Sequence, residues 1–347
     1  MPSLLFGIEV TRKCNLRCPH CYTRSGTSRA HAGPDPKALR ELVSALAAAG
    51  VRDIGFSGGE PLLRHDLEDL MKHGHQVGVG SFGIVTNGLL ATPERVRSLA
   101  HAGLRAAQVS IDGVDVADHC EVRNCKPGDY YRALRAVRLF RDAGITVDVA
   151  CILSARNAVR APEMALLCEA LGARGLRYCS FVPTGRAVSR DVQQRFAMTE
   201  PQIDAFVLFM HKLAFHPKPP LRIMIDHGIG PWKPTGRLEC NAGQRVAYCS
   251  AEGTLYPCPG LIFDEFAVGN VFRTPVGELL KSERLAPTRR IRHEDIHGSC
   301  RTCNNNQCTG GCRGSAYAVT GDLCGAPAYC FFRPSMRRRP RAPGVSE

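Results

Sequence analysis

CNLRCPHC, residues 14–21, brings three cysteines together within one short stretch of the chain. The apolar run Leu4–Val10 precedes it and predicts a β-strand, so the thiols begin where that strand ends. Charged and amide side chains at positions 12, 13, 15 and 17 interrupt the segment, which is atypical of cysteines buried in a hydrophobic core. The pattern therefore indicates a loop whose thiols bind a ligand.

The spacing C-x3-C-x2-C suits an iron–sulfur cluster with an open coordination position. A cubic [4Fe–4S] cluster normally takes four cysteine ligands, whereas Cys14, Cys18 and Cys21 supply three. One iron would remain free to bind another molecule. A zinc site would need a fourth protein ligand, and the candidate, His20, would have to share a loop already crowded by two cysteines. The cluster is the favoured interpretation.

Composition restricts the class of protein. The 347 residues are 44% hydrophobic, enough for one large α/β domain with an appendage or for two domains. We expect no membrane segment, since no apolar stretch approaches the roughly 20 residues of a membrane span. The first ten residues lack the features of a secretion signal. The 17 cysteines then indicate a reducing, cytoplasmic protein whose clustered thiols bind metals.

The net charge of +13 is unevenly distributed. Residues 333–347 hold five arginines and one glutamate, which indicates a basic flexible tail. The remaining positive charge is compatible with an anionic substrate. Aromatic and basic residues do not alternate as they do in nucleic-acid platforms, so the sequence does not favour a nucleic-acid partner.

Strand-like and helical patterns alternate up to about residue 185. Strands are predicted at 4–10, 54–56, 83–86, 107–111, 146–153 and 176–181, and helices at 36–50, 67–75, 93–102, 130–143 and 162–171. About six β/α units of this kind indicate an α/β fold with parallel strands and crossover helices. A further helix is predicted at 201–215, after which regular alternation is lost.

The run CNLRCPHCY resembles the signature of the radical S-adenosylmethionine (SAM) enzymes. The resemblance implies an α/β fold with a partial (β/α)6 barrel. It also implies a [4Fe–4S] cluster whose open iron is chelated by the methionine moiety of SAM. Reduction, by an electron donor of the flavodoxin or ferredoxin type, would cleave SAM to a 5′-deoxyadenosyl radical that abstracts a hydrogen atom from the substrate.

The resemblance extends to SAM-contacting motifs after the second, third and fourth strands. Gly58, Gly59 and Glu60 resemble the GGE motif that holds the SAM amino group. Polar residues at the following strand ends would lie near the ribose or the methionine carboxylate of SAM: Asn87, Ser110, Asp112 and Arg123. The alternative is that these residues form ordinary βα turns and caps of loops or helices.

The C-terminal cysteines resemble the SPASM extension, which binds auxiliary iron–sulfur clusters. The resemblance implies one or two such clusters, the first held by Cys240, Cys258 and Cys312 with Cys249 as a candidate fourth ligand. The second would be held by Cys300, Cys303, Cys308 and Cys330. Cys303-x4-Cys308 is one residue shorter than the usual spacing. Taken alone, these cysteine pairs would also suit a zinc ribbon.

One position departs from the related sulfatase-maturing enzymes. In that branch an aspartate directly follows the cysteine of the G-x4-C element and acts as a base. Here that position is Pro259, so the role cannot be transferred, and the sequence identifies no catalytic acid or base.

The predicted organisation is a radical SAM barrel with a following helical linker at 1–215, a SPASM-like domain at 216–332 and the tail at 333–347. The predicted function is hydrogen abstraction from a small-molecule or natural-product intermediate, such as a sugar-nucleoside or tetrapyrrole carboxylate, leading to oxidation, decarboxylation or bond formation. One alternative is a maturase that forms thioether or C–C cross-links in a ribosomally made peptide with a separate leader-binding protein. The other is a non-enzymatic zinc or Fe–S module that binds nucleic acid.

Overall fold

A single ten-stranded sheet organises the protein. The computed structural model describes residues 4–26, 32–214, 221–225, 240–301 and 310–327. Its strands are β1 Leu5–Glu9, β2 Asp53–Ser57, β3 Ser81–Thr86, β4 Leu104–Ser110, β5 Thr146–Ile152, β6 Gly175–Cys179, β7 Arg222–Ile225, β8 Val246–Cys249, β9 Thr254–Tyr256 and β10 Gly269–Asn270. Their order across the sheet is β10-β9-β8-β1-β2-β3-β4-β5-β6-β7.

Helices cross between successive strands of the first half of the chain. They are α1 Pro36–Ala48, α2 Leu67–Gln76, α3 Pro93–His101, α4 Val116–Arg123, α5 Pro127–Asp142 and α6 Ala161–Ala170. Between β6 and β7 lie α7 Arg190–Phe196 and α8 Glu200–Ala214, and after β10 follow α9 Val276–Leu279, α10 Ala286–Arg289 and α11 Arg313–Thr320. Helix α1 shows why they form. The Asp35 side chain accepts a hydrogen bond from the Ala38 amide, Pro36 starts the first turn, and an apolar stripe is buried.

The first six strands are the six that the sequence predicts, and each pairs in parallel with the next. β7 adds a seventh parallel strand beside β6. Phe6, Phe56 and Phe82 lie fully buried in the core that the sheet shares with its helices. The α/β class with six parallel β/α units is therefore confirmed, in an open sheet with β7 and β10 at its two edges.

The C-terminal region continues this sheet. β8 pairs in parallel with β1, and β9 and β10 then add antiparallel strands. Strands from both sides of the predicted domain boundary therefore share one sheet. The boundary itself, at 216, and the basic tail at 333–347 lie outside the described residues.

The parallel strands bring four connecting loops to one edge. One of the predicted site motifs lies at or shortly after the end of each of β1, β2, β3 and β4, and carboxyl ends of parallel strands meet at the same edge. The sequence misses α4, which lies in this region. Of the helices in the described ranges, none is both long enough and apolar enough to cross a membrane.

Candidate active site

The loop at residues 14–21, here called the cysteine loop, places its three thiols close enough to influence one another. Cys14 and Cys18 are buried and Cys21 is partly exposed. Burial, with smaller contributions from the neighbouring thiols of Cys18 and Cys21, raises the pKa of Cys14 to about 12. Thiolates in such a place need a compensating cation, and a bound metal centre deprotonates its thiol ligands. The donor set therefore fits a cluster held by three cysteines.

Backbone hydrogen bonds fix both ends of the cysteine loop. The Cys14 amide donates to the Gly26 carbonyl at 3.0 Å, and the Gly26 amide donates to the Arg12 carbonyl at 3.0 Å. Inside the loop, the Leu16 amide donates to the Cys14 sulfur at 3.4 Å. Amide donors to cysteine sulfur stabilise the thiolate that a cluster requires.

Arg186, in the segment after β6, donates hydrogen bonds to the backbone of the cysteine loop. The sequence alone does not identify this residue. Its guanidinium donates to the Cys18 carbonyl at 2.9 Å and to the Ser25 carbonyl at 2.7 Å, and its amide donates to the Cys21 carbonyl. The preceding Gly185 packs so closely that an added Cβ would lie 2.4 Å from that same carbonyl. No local pattern could reveal a contact that spans more than 160 residues.

His20, the alternative zinc ligand, is directed elsewhere. Its Nδ1 lies 3.2 Å from the Val122 carbonyl at the end of α4, and its ring packs against Phe196. Burial lowers the pKa of His20 to about 4, so the ring is neutral near pH 7. Within the described ranges, no three Cys, His, Asp or Glu side chains form a site for a single metal ion. Here His20 has a packing role.

The two glycines after β2 lie against the backbone that leads into the cysteine loop. The Gly59 amide donates to the Thr11 carbonyl at 2.7 Å, and a Cβ on Gly59 would lie 2.1 Å from the Lys13 carbonyl oxygen. A Cβ on Gly58, whose φ is +145°, would lie 2.3 Å from the Thr11 carbonyl oxygen. The glycines thus bring the second loop into contact with the first.

Glu60 is fully buried and its carboxylate is already hydrogen-bonded. Thr86 and the Leu62 amide donate to one oxygen at 2.7 and 3.0 Å, and the Asn87 amide donates to the other at 2.8 Å. Burial raises the pKa of Glu60, and these hydrogen bonds oppose that rise. The side chain therefore joins the loops after β2 and β3.

Asn87 and Ser110 lie where the sequence places them, at the ends of β3 and β4. The Asn87 side chain donates to the Asn15 side chain at 2.8 Å, so it contacts the cysteine loop directly. Ser110 is buried as the last residue of β4. Both are thus positioned by the same strand edge that holds the thiols.

Asp112 and Arg123, predicted as separate SAM contacts, form a buried ion pair with each other. Burial alone would raise the pKa of Asp112, but the charge of Arg123 and other neighbours outweighs it, so the pKa lies below its ordinary value. The Ile152 amide donates to the other Asp112 oxygen at 2.7 Å. The charge of Arg123 also acts on the Cys18 thiol. The pair therefore sets the electrostatics beside the cysteine loop.

Three of the predicted auxiliary-cluster ligands come together in the C-terminal region. Burial raises the pKa of both Cys240 and Cys258, and the nearby Cys312 thiol contributes to both shifts. The Cys240 thiol also contributes to the rise in the pKa of Cys258. The Ser315 amide at the start of α11 donates to the Cys312 sulfur at 3.3 Å. Gly314 packs against the Gly260 carbonyl, which a Cβ would approach to 2.3 Å. This donor set fits one cluster.

Cys249 is not brought to that group. It is fully buried at the end of β8, donates to the Ser250 carbonyl, and has Glu9 and Glu252 as its charged neighbours. Cys300 lies in a short helical turn. The remaining predicted ligands of the second auxiliary cluster lie outside the described residues: Cys303, Cys308 and Cys330.

A cavity of about 260 Å³ opens between the segment that directly follows the cysteine loop, the loop after β6 and the loop that follows β9. It is lined by Tyr22, Arg24, Thr184, Gly185, Val188, Pro259, Gly260, Ile262 and Phe263. The wall of the cavity therefore combines Tyr22, which follows Cys21, with Pro259, which follows Cys258. Apart from Pro259, the sequence did not single out these residues.

Comparison with known families agrees with this arrangement. A family model described as the radical SAM superfamily matches residues 8–158, and the SPASM model, an iron–sulfur cluster-binding domain, matches residues 240–304. These ranges contain the cysteine loop with its neighbouring strand ends, and part of the C-terminal cysteine set.

Two curated relatives match almost the whole chain. The AdoMet-dependent heme synthase of Nitratidesulfovibrio vulgaris is 30% identical, over 95% of this chain and 92% of the relative. Mycofactocin maturase MftC of Mycobacterium tuberculosis is 29% identical, over 96% of this chain and 86% of the relative.

A solved structure shares the fold. Streptococcus suis SuiB bound to S-adenosylmethionine superposes with a TM-score of 0.71 at 15% identity, covering 94% of this chain and 76% of that chain. The family models and the end-to-end relatives confirm the family predicted from the cysteine motifs. This chain belongs to the radical SAM superfamily and is an enzyme of its SPASM class, with S-adenosylmethionine, a [4Fe–4S] cluster and SPASM iron–sulfur clusters as cofactors.

Proposed function

We propose that the enzyme carries out an oxidative decarboxylation of a tetrapyrrole carboxylate. The observation that carries the proposal is the cavity wall, where Arg24 offers a cation and Pro259 occupies the position of a catalytic base in related enzymes. The relatives that match the chain from end to end include AdoMet-dependent heme synthases, at 28–30% identity. Among the described residues that line it, the cavity has a cation and no carboxylate or imidazole base, which suits a substrate that loses carbon dioxide.

The atoms and electrons of this reaction balance without a protein base. A propionate side chain that loses one hydrogen atom, one electron and carbon dioxide becomes a vinyl group. When bound, S-adenosylmethionine at the cluster supplies the radical that takes the hydrogen atom, and an auxiliary cluster supplies an acceptor for the electron. An alcohol or thiol oxidised in the same way would have to give up a proton. Pro259 cannot accept a proton.

Arg24 is the group that would hold the carboxylate. Its backbone adopts the left-handed region, with φ of +54°, which is uncommon for a residue with a side chain. Such backbone conformations cluster at ligand sites. In the described part of the chain no carboxylate forms an ion pair with the Arg24 side chain. A guanidinium that lines a cavity without such an ion pair favours a carboxylate ligand.

The apolar side of the cavity would hold the ring. Val188, Ile262 and Phe263 line it, and they would exclude water from the reacting carbon. A volume of about 260 Å³ suits one edge of a macrocycle with its propionate arm. We therefore propose that the substrate enters edge first, with its carboxylate toward Arg24.

Two further assignments belong to the same proposal. The barrel at 1–215 would carry the reducible cluster, and residues 216–332 would carry the auxiliary clusters. The electron donor would be a flavodoxin or ferredoxin, whose acidic surface would be attracted by the net charge of +13.

The test uses an iron porphyrin with propionate side chains, deuterated at the carbon joined to the ring. Anaerobic holoenzyme with dithionite and SAM should transfer deuterium to 5′-deoxyadenosine. The porphyrin should lose the mass of carbon dioxide, one deuterium atom and one hydrogen atom per side chain. The methyl ester of the same porphyrin is the control and should not react. Release of 5′-deoxyadenosine without deuterium, and without dependence on the porphyrin, would contradict the proposal.

A second candidate is the maturation of a peptide with a separate leader-binding protein. It is favoured by the similarity to mycofactocin maturase and to PqqA peptide cyclase, at 29% and 28% identity. A precursor peptide with its leader-binding protein would then stimulate 5′-deoxyadenosine release and lose mass, while the porphyrin would have no effect.

A further inference from the structure

Cys120 and Cys125 form a thiol pair that no predicted cluster uses. Their sulfur atoms are 2.9 Å apart, and the Cys120 thiol also donates to the Lys126 carbonyl at 3.3 Å. A disulfide bond is about 2.04 Å long, so bond formation would need only a small movement of the two side chains.

The fold produces this contact through the end of α4. Asn124 takes a left-handed conformation with φ of +52°, and the amides of Asn124 and Cys125 both donate to the Cys120 carbonyl. The bond from the Cys125 amide is the 6→1 bond of a Schellman cap, and the bond from the Asn124 amide is the 5→1 bond of the αL motif. At a helix end of this kind the side chains at positions 120 and 125 lie against each other. Apolar side chains usually make that contact, and here two thiols make it.

The pair is accessible to small reagents. Cys120 and Cys125 are both partly exposed, whereas Cys151 and Cys168 are buried. Two adjacent thiols with this exposure can both be reached by a small disulfide reagent.

The pair also borders the cysteine loop. Cys125 packs against the side chains of Cys14, Leu16 and Cys18. The Asn124 side chain donates to the Arg17 carbonyl at 3.4 Å. A small oxidant that approaches the loop from this side would meet the thiol pair.

We propose that Cys120 and Cys125 form a reversible disulfide when they react with a low-molecular-weight disulfide such as oxidised glutathione. One thiol attacks the reagent and forms a mixed disulfide, releasing one glutathione thiol. The second thiol then attacks the mixed disulfide and releases the other. One reagent disulfide is reduced to two thiols, which take up both protons, and one protein disulfide forms. The proposal does not depend on the identity of the substrate.

Trypsin separates the two cysteines, which makes the bond directly observable. Cleavage at Arg123 puts Cys120 in the peptide 106–123 and Cys125 in the peptide 124–132, since Lys126 precedes a proline. Reconstituted holoenzyme would be treated anaerobically with oxidised glutathione, alkylated, digested without reductant and analysed by mass spectrometry. The cross-linked pair of peptides should increase at least about tenfold over untreated enzyme and disappear with dithiothreitol.

Matched variants keep the test decisive. C120S should lose the cross-link and retain glutathione on Cys125, and C125S should retain it on Cys120. The buried Cys168 in the same digest is the control and should stay unmodified. The proposal would be overturned if both thiols were alkylated in the treated enzyme as fully as in the untreated enzyme, or if they cross-linked to other cysteines.

Discussion

Glu9, the last residue of β1, is a fully buried carboxyl group close to the candidate site. The Ala251 amide donates to one of its oxygens at 3.0 Å, and Arg12 lies 3.6 Å from the other. Burial raises its pKa from 4.5 to about 7, although Arg12 and the Ala251 amide oppose this. In the folded protein the Glu9 carboxyl group therefore keeps its proton up to about pH 7.

This predicts a pH dependence of stability that Glu9→Gln removes. Between about pH 4.5 and pH 7 the folded protein binds a proton that the unfolded chain releases, so stability falls as pH rises and is constant above that range. The full effect is about 3 kcal/mol. Thermal melting of anaerobic holoenzyme at several pH values measures it. The control is Glu252→Gln, which changes an exposed partner of Arg12 and should keep most of the pH slope, because Glu252 raises the pKa of Glu9 less than burial does. An unchanged pH slope in the Glu9 variant would contradict the prediction.

At Arg24, Arg24→Asn removes the charge while keeping a residue type that tolerates the left-handed backbone. If Arg24 binds a substrate carboxylate, loss of that charge-assisted hydrogen bond should raise KM about tenfold or more. The change in kcat should be smaller. Steady-state kinetics with the porphyrin measure both. Arg17→Asn is the control, because Arg17 is exposed on the cysteine loop and does not line the cavity. Equal effects of the two variants would exclude Arg24 as the carboxylate ligand.

At the scale of elements, the contact between the loop after β2 and the cysteine loop depends on the absence of a side chain. Gly59→Ala would place a Cβ 2.1 Å from the Lys13 carbonyl oxygen, so the backbone just before Cys14 must move. We expect lower iron content and at least about tenfold slower 5′-deoxyadenosine release, since catalytic groups tolerate little displacement. Gly128→Ala, with open space around it, is the control. Normal iron content and activity in the Gly59 variant would show that the contact is dispensable.

The elements that the sequence predicts are those with strong local patterns. The strands β1 to β6 and α1 carry apolar alternation or a stripe next to clear turn residues. The sequence does not predict helix α4, because its buried residues include Asp118 and His119 and no apolar stripe marks it. The predicted placement of Asn87 and Asp112 at strand ends follows from the strand pattern. The pairing of Asp112 with Arg123 depends on α4 and could not be predicted without it.

At the scale of the whole molecule, contacts distant in sequence complete the candidate site. β8 pairs with β1, which joins the C-terminal region to the strand that leads into the cysteine loop. The Arg186 contacts and the cavity between the two cysteine regions arise in the same way. Spacing identifies residues that share a motif, but it carries no signal for partners that only the folded chain brings together. The family was therefore predictable, and the cavity was not.

We propose that Cys14, Cys18 and Cys21 hold a cluster whose fourth iron binds SAM. The most direct measurement is the EPR spectrum of dithionite-reduced, anaerobically reconstituted enzyme before and after addition of SAM. The same spectra would be recorded for a variant with all three cysteines changed to alanine. The wild-type spectrum should change on addition of SAM, whereas the variant should keep its auxiliary-cluster signal and show no change. An identical SAM-dependent change in the variant, or none in the wild type, would contradict the claim.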